Sequence, residues 1–288
     1  MILSADNTAI VYDSTADLPD GPGEHTNWRM VPLTVAFGSE TYRDYVDLAP
    51  DLFYRLLEAA ALMPTTAQPS PAAFHAVYEQ LLHGYDQIIS LHISERLSGT
   101  VNSARLAAEG FPGRVIVVDT GGVSALLAFA VLAVNDALNQ GVTRESLDAI
   151  VADHRARDRC FFSVPSLDYL QRGGRIGAAR ALLGQVLSVR PVLGFDDGEL
   201  RPVARVRGAH RLADTLVAQI LDASADWQRV RILIAHAACR PAAEDLATRI
   251  RGARAGVTVD AILTLGAVVG SHSGPGALGI ACTDGAAS

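Results

Sequence analysis

Residues Ile88–Ile93 form a short apolar run that passes through Ser94-Glu95-Arg96-Leu97-Ser98-Gly99-Thr100 into Val101–Glu109, a segment rich in Ala, Arg and Leu that stops at Gly110. The first part reads as a buried strand and the last as a helix. The same alternation recurs on either side. Thr8–Tyr12 and Arg114–Asp119 are further short strands, and helices are expected at Pro71–His83 with Ser70 as cap, from Gly121-Gly122 to Gln140, and from a Thr143 cap to Arg157. Strands alternating with helices specify an α/β chain with a parallel sheet covered on both faces. The turn at 94–100 has a chemical consequence as well. Backbone N–H groups at a helix start, together with the Ser98 and Thr100 hydroxyls, suit an anion such as a carboxylate or phosphate. Plain helix capping accounts for the same residues, and the turn alone does not separate the two readings.

Other segments fill out the pattern. Trp28–Phe37 reads as one strand, with Thr41–Tyr45 as its extension, and Pro50 opens a helix to about Ala61. Pro64-Thr65-Thr66-Ala67-Gln68-Pro69-Ser70 reads as an extended loop, since residues before proline avoid helical geometry. Asp13-Ser14-Thr15-Ala16-Asp17 follows the first strand, where parallel sheets place ligand groups, although Asp13 equally suits an ordinary turn. Near residue 160 the character changes, which divides the chain into domains at 1–160 and 161–288. The second part reads as strands at Cys160–Val164, Pro191–Leu193, Leu200–Val206, Val230–Ala235 and Val257–Leu263. Its helices are expected at Leu167–Leu170, Ala178–Val186, Arg211–Ala223 and Pro241–Arg251. Asp196-Asp197-Gly198 is a hairpin turn, and residues 266–280 form a glycine-rich loop around His272.

Charge and composition remove several function classes. The formal net charge is −7 and no basic run occurs, which disfavours a nucleic-acid partner. Cys160, Cys239 and Cys282 have neither CxxC nor zinc-site spacing and suit a reducing cytoplasm. The histidines form no HExxH or HxH pair, so no metal is expected. Met1–Asp6 lacks the features of a signal peptide, and Val123–Val134, the longest apolar stretch, is too short to span a bilayer. Every basic residue is arginine. Without lysine, a Schiff-base mechanism and a Walker A phosphate loop are both excluded.

His272 lies among Gly270, Gly274 and Gly276, where backbone can approach a ligand closely. With His at its centre, the segment is not a nucleophile elbow. Arg172 and Arg175 flank Gly173-Gly174 and suit gripping carbonyls or carboxylates across a domain seam. Arg205, Arg207 and Arg211 form a local basic cluster, either a solvated face or a surface for an acidic partner.

Five segments taken in order resemble one family. They are Asp13-Ser14-Thr15-Ala16-Asp17-Leu18-Pro19, Pro64–Ser70, Ile93-Ser94 with Leu97-Ser98-Gly99-Thr100, Leu170 with Arg172-Gly173-Gly174-Arg175-Ile176, and His272 with Gly274-Pro275-Gly276. Each is a weak signal alone. Together they resemble the DegV proteins, bacterial fatty-acid-binding proteins. The resemblance implies an N-terminal three-layer domain on a parallel sheet, a C-terminal mixed α/β domain, and a ligand tunnel between them. It implies a long-chain fatty acid as ligand and no cofactor. The carboxylate would be held by Thr66, Ser98 and His272, with Ser94, Gly99, Thr100, Ser14 and Thr15 as supporting loop residues. Arg172, Arg175 and Arg207 would face the domain seam or a partner. The implied partner is a fatty acid kinase that phosphorylates the bound carboxylate; the reading also allows transient membrane contact and implies a cytoplasmic protein. Two departures stand out. Ala67 replaces a usual serine, and Leu126 and Ala128 stand where the family carries glycines, bulk that would shorten or redirect the tunnel. The competing reading is an acyl-transfer or hydrolytic enzyme with Ser98 as nucleophile and His272 as base.

Overall fold

The structure, a computed structural model, describes residues 1–18, 25–183 and 189–285. Its first sheet is parallel, in the order β2 (Trp28–Val31), β1 (Thr8–Asp13), β6 (Gln87–His92), β7 (Val115–Asp119). Side chains alternate across it, as a strand requires. Ile10, Tyr12, Ile89 and Leu91 face α4 (Ala125–Gln140), whereas Ala9, Val11 and Ile88 face α2 (Pro71–Leu81) and α3 (Thr100–Ala108). Three layers result. Ser70 caps α2 through its side chain, and Thr143 caps α5 (Arg144–Arg157) in the same way.

A second, mixed sheet runs β10 (Glu199–Arg207), β9 (Val189–Asp196), β8 (Arg159–Ser163), β13 (Leu278–Asp284), β11 (Val230–His236), β12 (Val257–Thr264). Only β11 and β12 pair in parallel; the other neighbours are antiparallel. One face packs on α7 (Leu212–Ala223) and α8 (Arg240–Ala253). The other meets α4 through Ala125, Ala128 and Phe129. Helix α4 is therefore clasped by both sheets, which explains why it is apolar all round rather than striped.

A third, small antiparallel sheet joins β4 (Glu40–Arg43), β3 (Thr34–Phe37) and β5 (Thr65–Ala67). It departs from the sequence reading. Trp28–Phe37 is not one strand: β2 ends at Val31, before Pro32, which has no N–H to give a ladder. The chain then leaves the parallel sheet, and the Leu33 amide donates to Ser14 Oγ at 3.1 Å. Nor is 64–70 wholly a loop, because Thr66 pairs with Val35 in β5. The small sheet packs with α1 (Pro50–Ala59) against α9 (Ala267–Ser273). That helix is a further correction, as the glycine-rich segment was expected to be a loop. It stops where Gly274 takes φ 71°, a backbone that favours glycine. Residues Gly177–Leu182 are a 3-10 turn rather than the start of a helix, and 184–186 of that expected helix lie outside the described residues.

Candidate functional site

The carboxyl ends of β1, β6 and β7 lie side by side, with Tyr12 beside Leu91 and His92 beside Asp119. What leaves those ends is held by a buried polar chain. Asp13 Oδ2 accepts from the Ile93 amide at 2.9 Å and meets His92 Nδ1 at 3.1 Å; His92 Nε2 meets Ser90 Oγ at 2.7 Å, and Ser90 Oγ meets the Tyr78 hydroxyl at 2.8 Å. Asp13 Oδ1 accepts from the Thr15 amide and hydroxyl at 3.1 and 2.5 Å. The Ser90–His92–Asp13 order has the spacing of a catalytic triad, but each of the three is fully buried and none lines a described cavity. It is a brace for two loops.

Across from these loops stands α9, short and with its start buried. Asp17 and Asp44 supply what its first N–H groups need. The Gly266 amide donates to Asp17 Oδ1 at 2.8 Å and the Ala267 amide to Asp44 Oδ1 at 2.9 Å. The Tyr45 hydroxyl donates to Asp17 Oδ1 at 2.8 Å. So anchored, α9 carries His272 in its last turn, where Nε2 meets Thr66 Oγ1 of β5 at 2.9 Å. His272 Nδ1 has no partner among the described residues and lies against Gly173, so close that a side-chain carbon on Gly173 would overlap it. Burial, and secondarily Arg175, lowers the His272 pKa to about 4, so the ring is neutral at pH 7.

Ser98 completes the group. Its Oγ meets Thr100 Oγ1 at 2.8 Å and accepts from the Thr100 amide at 3.3 Å. Gly99, with no side chain to offer, is the N-cap of α3, so the hydroxyl pair is not a standard cap. Arg175 reaches over from the second sheet's side; its Nε donates to the Leu97 carbonyl at 3.0 Å and its Nη1 to the Gly173 carbonyl at 2.8 Å. Thr66, Ser98, Arg175 and His272 line one cavity of about 370 Å³ whose other walls include Leu33, Ile93, Val123, Phe162, Phe195 and Val269. A smaller apolar space of about 70 Å³ shares five wall residues with it, Val123, Phe162, Phe195, Val269 and Ser273. The volume suits a small molecule, and its walls suit one with a polar head and a long apolar body.

A family model, DegV, described as an uncharacterised protein family, matches residues 7–284. The chain belongs to the DegV family. A DegV domain-containing protein of Streptomyces coelicolor is 36% identical over 275 residues, covering 95% of this chain and 97% of its own. Among solved structures, a DegV protein from Thermus thermophilus, described for its fatty acid binding, is 36% identical with a TM-score of 0.92, covering 96% of this chain and 99% of its own. DegV of Bacillus subtilis, described as a fatty acid binding protein, is 30% identical with a TM-score of 0.87 over 96% and 98% of the two chains. The α/β fold read from the sequence is that of these DegV structures.

Within this DegV chain, the expected site residues fall into two groups. Thr66, Ser98, His272, Thr15 and Arg175 line the 370 Å³ cavity, while Ser94, Gly99, Thr100, Ser14, Arg172 and Arg207 do not. Ser94 Oγ donates instead to the Gly198 carbonyl at 3.1 Å, Ser14 serves the Leu33 amide, and Arg172 and Arg207 are exposed. Ala67 lines the cavity, whereas Leu126 faces a separate space and Ala128 is fully buried between the sheets. His272 bonds Thr66 rather than Ser98, so the nucleophile–base pair of the enzyme reading is not formed. Among the described residues there is no metal-binding group and no helix long and apolar enough to cross a membrane.

The sequence reading missed the pairing of Asp17 and Asp44, which lie 27 positions apart, one in the loop after the first strand and the other in the expected Thr41–Tyr45 strand. Burial is the main cause that raises both carboxyls to about 7, with each other's proximity adding to Asp44. A folded-state pKa above the unfolded one means stability present at low pH and lost as pH rises through about 7. Between pH 6.5 and 8.5 the histidines that burial lowers, His272 and His236, offset part of this loss near the lower limit, because there the unfolded imidazoles hold more protons than the folded ones. Over that interval the carboxyls should cost roughly 1 kcal/mol each, a fall of a few degrees in melting temperature. Asp17→Asn, which keeps an acceptor for Gly266 and Tyr45, should remove at least half of that fall. An unchanged slope in calorimetry would show that these carboxyls stay ionised throughout.

Proposed function

We propose that this chain is a carrier that binds one long-chain fatty acid at the seam between residues 1–160 and 161–288 and presents its carboxylate to a fatty acid kinase. The observation that carries the reading is the apolar cavity with the Thr66–His272 hydrogen bond and the Ser98 hydroxyl on its wall. The described fatty-acid binding of the Thermus thermophilus and Bacillus subtilis relatives supports it, as does a Eubacterium ventriosum relative described as stearic acid-binding, at 25% identity and TM-score 0.87.

The hydrogen bonding suits a carboxylate. A neutral His272 with its proton on Nε2 donates to Thr66 Oγ1, leaving the threonine proton for the ligand and only a lone pair on the unpartnered Nδ1. Ser98 Oγ accepts from the Thr100 amide, and with the Thr100 hydroxyl donating to it as well its own proton is left for the ligand. Each such bond to a charged group is worth about 1.5–3 kcal/mol. The tail brings about 0.8 kcal/mol per buried methylene, roughly 10 kcal/mol for a dozen, so it dominates affinity and the hydroxyls set register. The protein brings no phosphate loop of its own, so ATP would be the kinase's. Cytoplasmic residence and brief membrane contact during loading belong to the same proposal.

Mass spectrometry of lipid extracted from the purified protein tests binding and is expected to find fatty acids at near one per chain; a lipid-free protein that takes up none would overturn it. Thr66→Ala and Ser98→Ala should each weaken binding by roughly tenfold or somewhat more and impair kinase-dependent acyl-phosphate formation further, because transfer depends on the carboxylate's position. Loss of all lipid from both variants would show that the hydroxyls do more than set register.

A further inference from the structure

Phe195, near the end of β9, lines both spaces described above and also a third, of about 600 Å³, bounded by α4, α5 and the β9–β10 turn. No other described residue lines all three. Its ring stacks on Phe162 with centroids 5.7 Å apart and planes 28° apart. From the α4 side, Leu126 faces the third space too. The turn that follows Phe195 is fastened from both directions. Ser94 Oγ donates to the Gly198 carbonyl at 3.1 Å, and Arg155 Nη2 donates to Asp197 Oδ1 at 3.0 Å while its Nη1 reaches Asp119 Oδ2 at 3.3 Å. A ring stacked on one side and carried by a fastened turn is a rigid wall rather than a yielding one.

The geometry points to Phe195 as the residue that sets the length and shape of the acyl chain this protein accepts, by closing the acyl cavity off from the 600 Å³ space beside it. The inference rests on the fatty-acid reading of the site. A straight tail that passes Phe162 and Phe195 enters the 70 Å³ space bounded by Cys160 and Ala281 and ends there. Longer or kinked chains have no further room while the ring stands. The third space has Leu126, Ala130 and Val151 on one wall and charged residues, Arg155, Asp158, Arg159, Asp196 and Asp197, on the others, so a tail admitted to it would find apolar contact along one side.

The test is competition of a fluorescent fatty acid by saturated acids of 12 to 20 carbons and by a cis-monounsaturated acid of 18. In the natural protein affinity should climb about fourfold per methylene and then level off once the small space is full. In Phe195→Ala the climb should continue, so that the preference for the 20-carbon over the 14-carbon acid grows at least about tenfold. The cis-unsaturated acid should gain on its saturated counterpart. Phe195→Leu should give a smaller shift in the same direction, and Leu126→Ala, which thins the partition from the other side, should do likewise. These two carry the test if Phe195→Ala does not fold. A chain-length profile unchanged in variants that still bind would overturn the role of Phe195 alone. Failure of the natural protein to bind any of the acids would overturn the fatty-acid reading and this inference with it.

Discussion

Gly173→Ala is expected to weaken fatty-acid binding by roughly tenfold or somewhat more, the loss of the one hydrogen bond from Thr66 to a charged group. The backbone at Gly173 is unstrained, with φ −71°, so alanine is tolerated there as far as the chain itself is concerned. What the methyl group meets is His272 Nδ1, together with the Tyr169 carbonyl 3.0 Å away. Tyr169 belongs to the turn of α6 (Asp168–Arg172) and cannot yield without unwinding it, so the imidazole must turn. Turning it breaks the contact with Thr66 at 2.9 Å and leaves the threonine hydroxyl unoriented. The loss should appear in the dissociation constant and in a shifted His272 imidazole resonance, with the far-ultraviolet circular dichroism unchanged. Binding at natural strength in Gly173→Ala would show that His272 plays no part in holding the ligand.

His92→Ala should be the most destabilising of the single changes considered, by about 3–5 kcal/mol and therefore roughly 10 °C in melting temperature. The ring is fully buried, packs edge-on against Phe74 with centroids 4.9 Å apart, and is the one link between Asp13 and the Ser90–Tyr78 pair. Its removal leaves a void and a buried carboxylate short of a partner. Asp13 also fixes Thr15 and the Ile93 amide, so the loops on both sides of the cavity should loosen together. His92→Gln, with an amide in reach of the same neighbours, should recover part of the loss. A melting temperature within 2–3 °C of the natural protein in His92→Ala, a change of about 1 kcal/mol, would mean that the polar chain is incidental.

How much of this could be read beforehand depended on whether the signal was local. The parallel sheet was legible because Thr8–Tyr12, Ile88–Ile93 and Arg114–Asp119 are compact apolar strands, each bounded by turn residues. The caps at Ser70 and Thr143 were legible for the same reason. Thr66 and His272 are 206 residues apart, and only the order of weak motifs suggested that they meet. The breaks came where tertiary packing overrides local preference. Pro32 splits an apolar run between two sheets, and a segment holding Gly266 and Gly270 winds into a helix because Asp17 and Asp44 hold its first amides. Ser90 and His92 did leave a trace, two polar residues at i and i+2 in an otherwise apolar strand, hence on one face. Phe162 and Phe195 left none, since an aromatic residue in a strand reads as core.

A crystal structure of the protein with hexadecanoic acid tests the central claim most directly. The carboxylate is expected within hydrogen-bond distance of Thr66 Oγ1 and Ser98 Oγ, with the tail running between Phe162 and Val269, past Phe195, and ending in the 70 Å³ space without entering the 600 Å³ one. Ligand density on the outer surface, or a carboxylate pointing away from Thr66 and Ser98 with the 370 Å³ cavity left without an acyl chain, would contradict it.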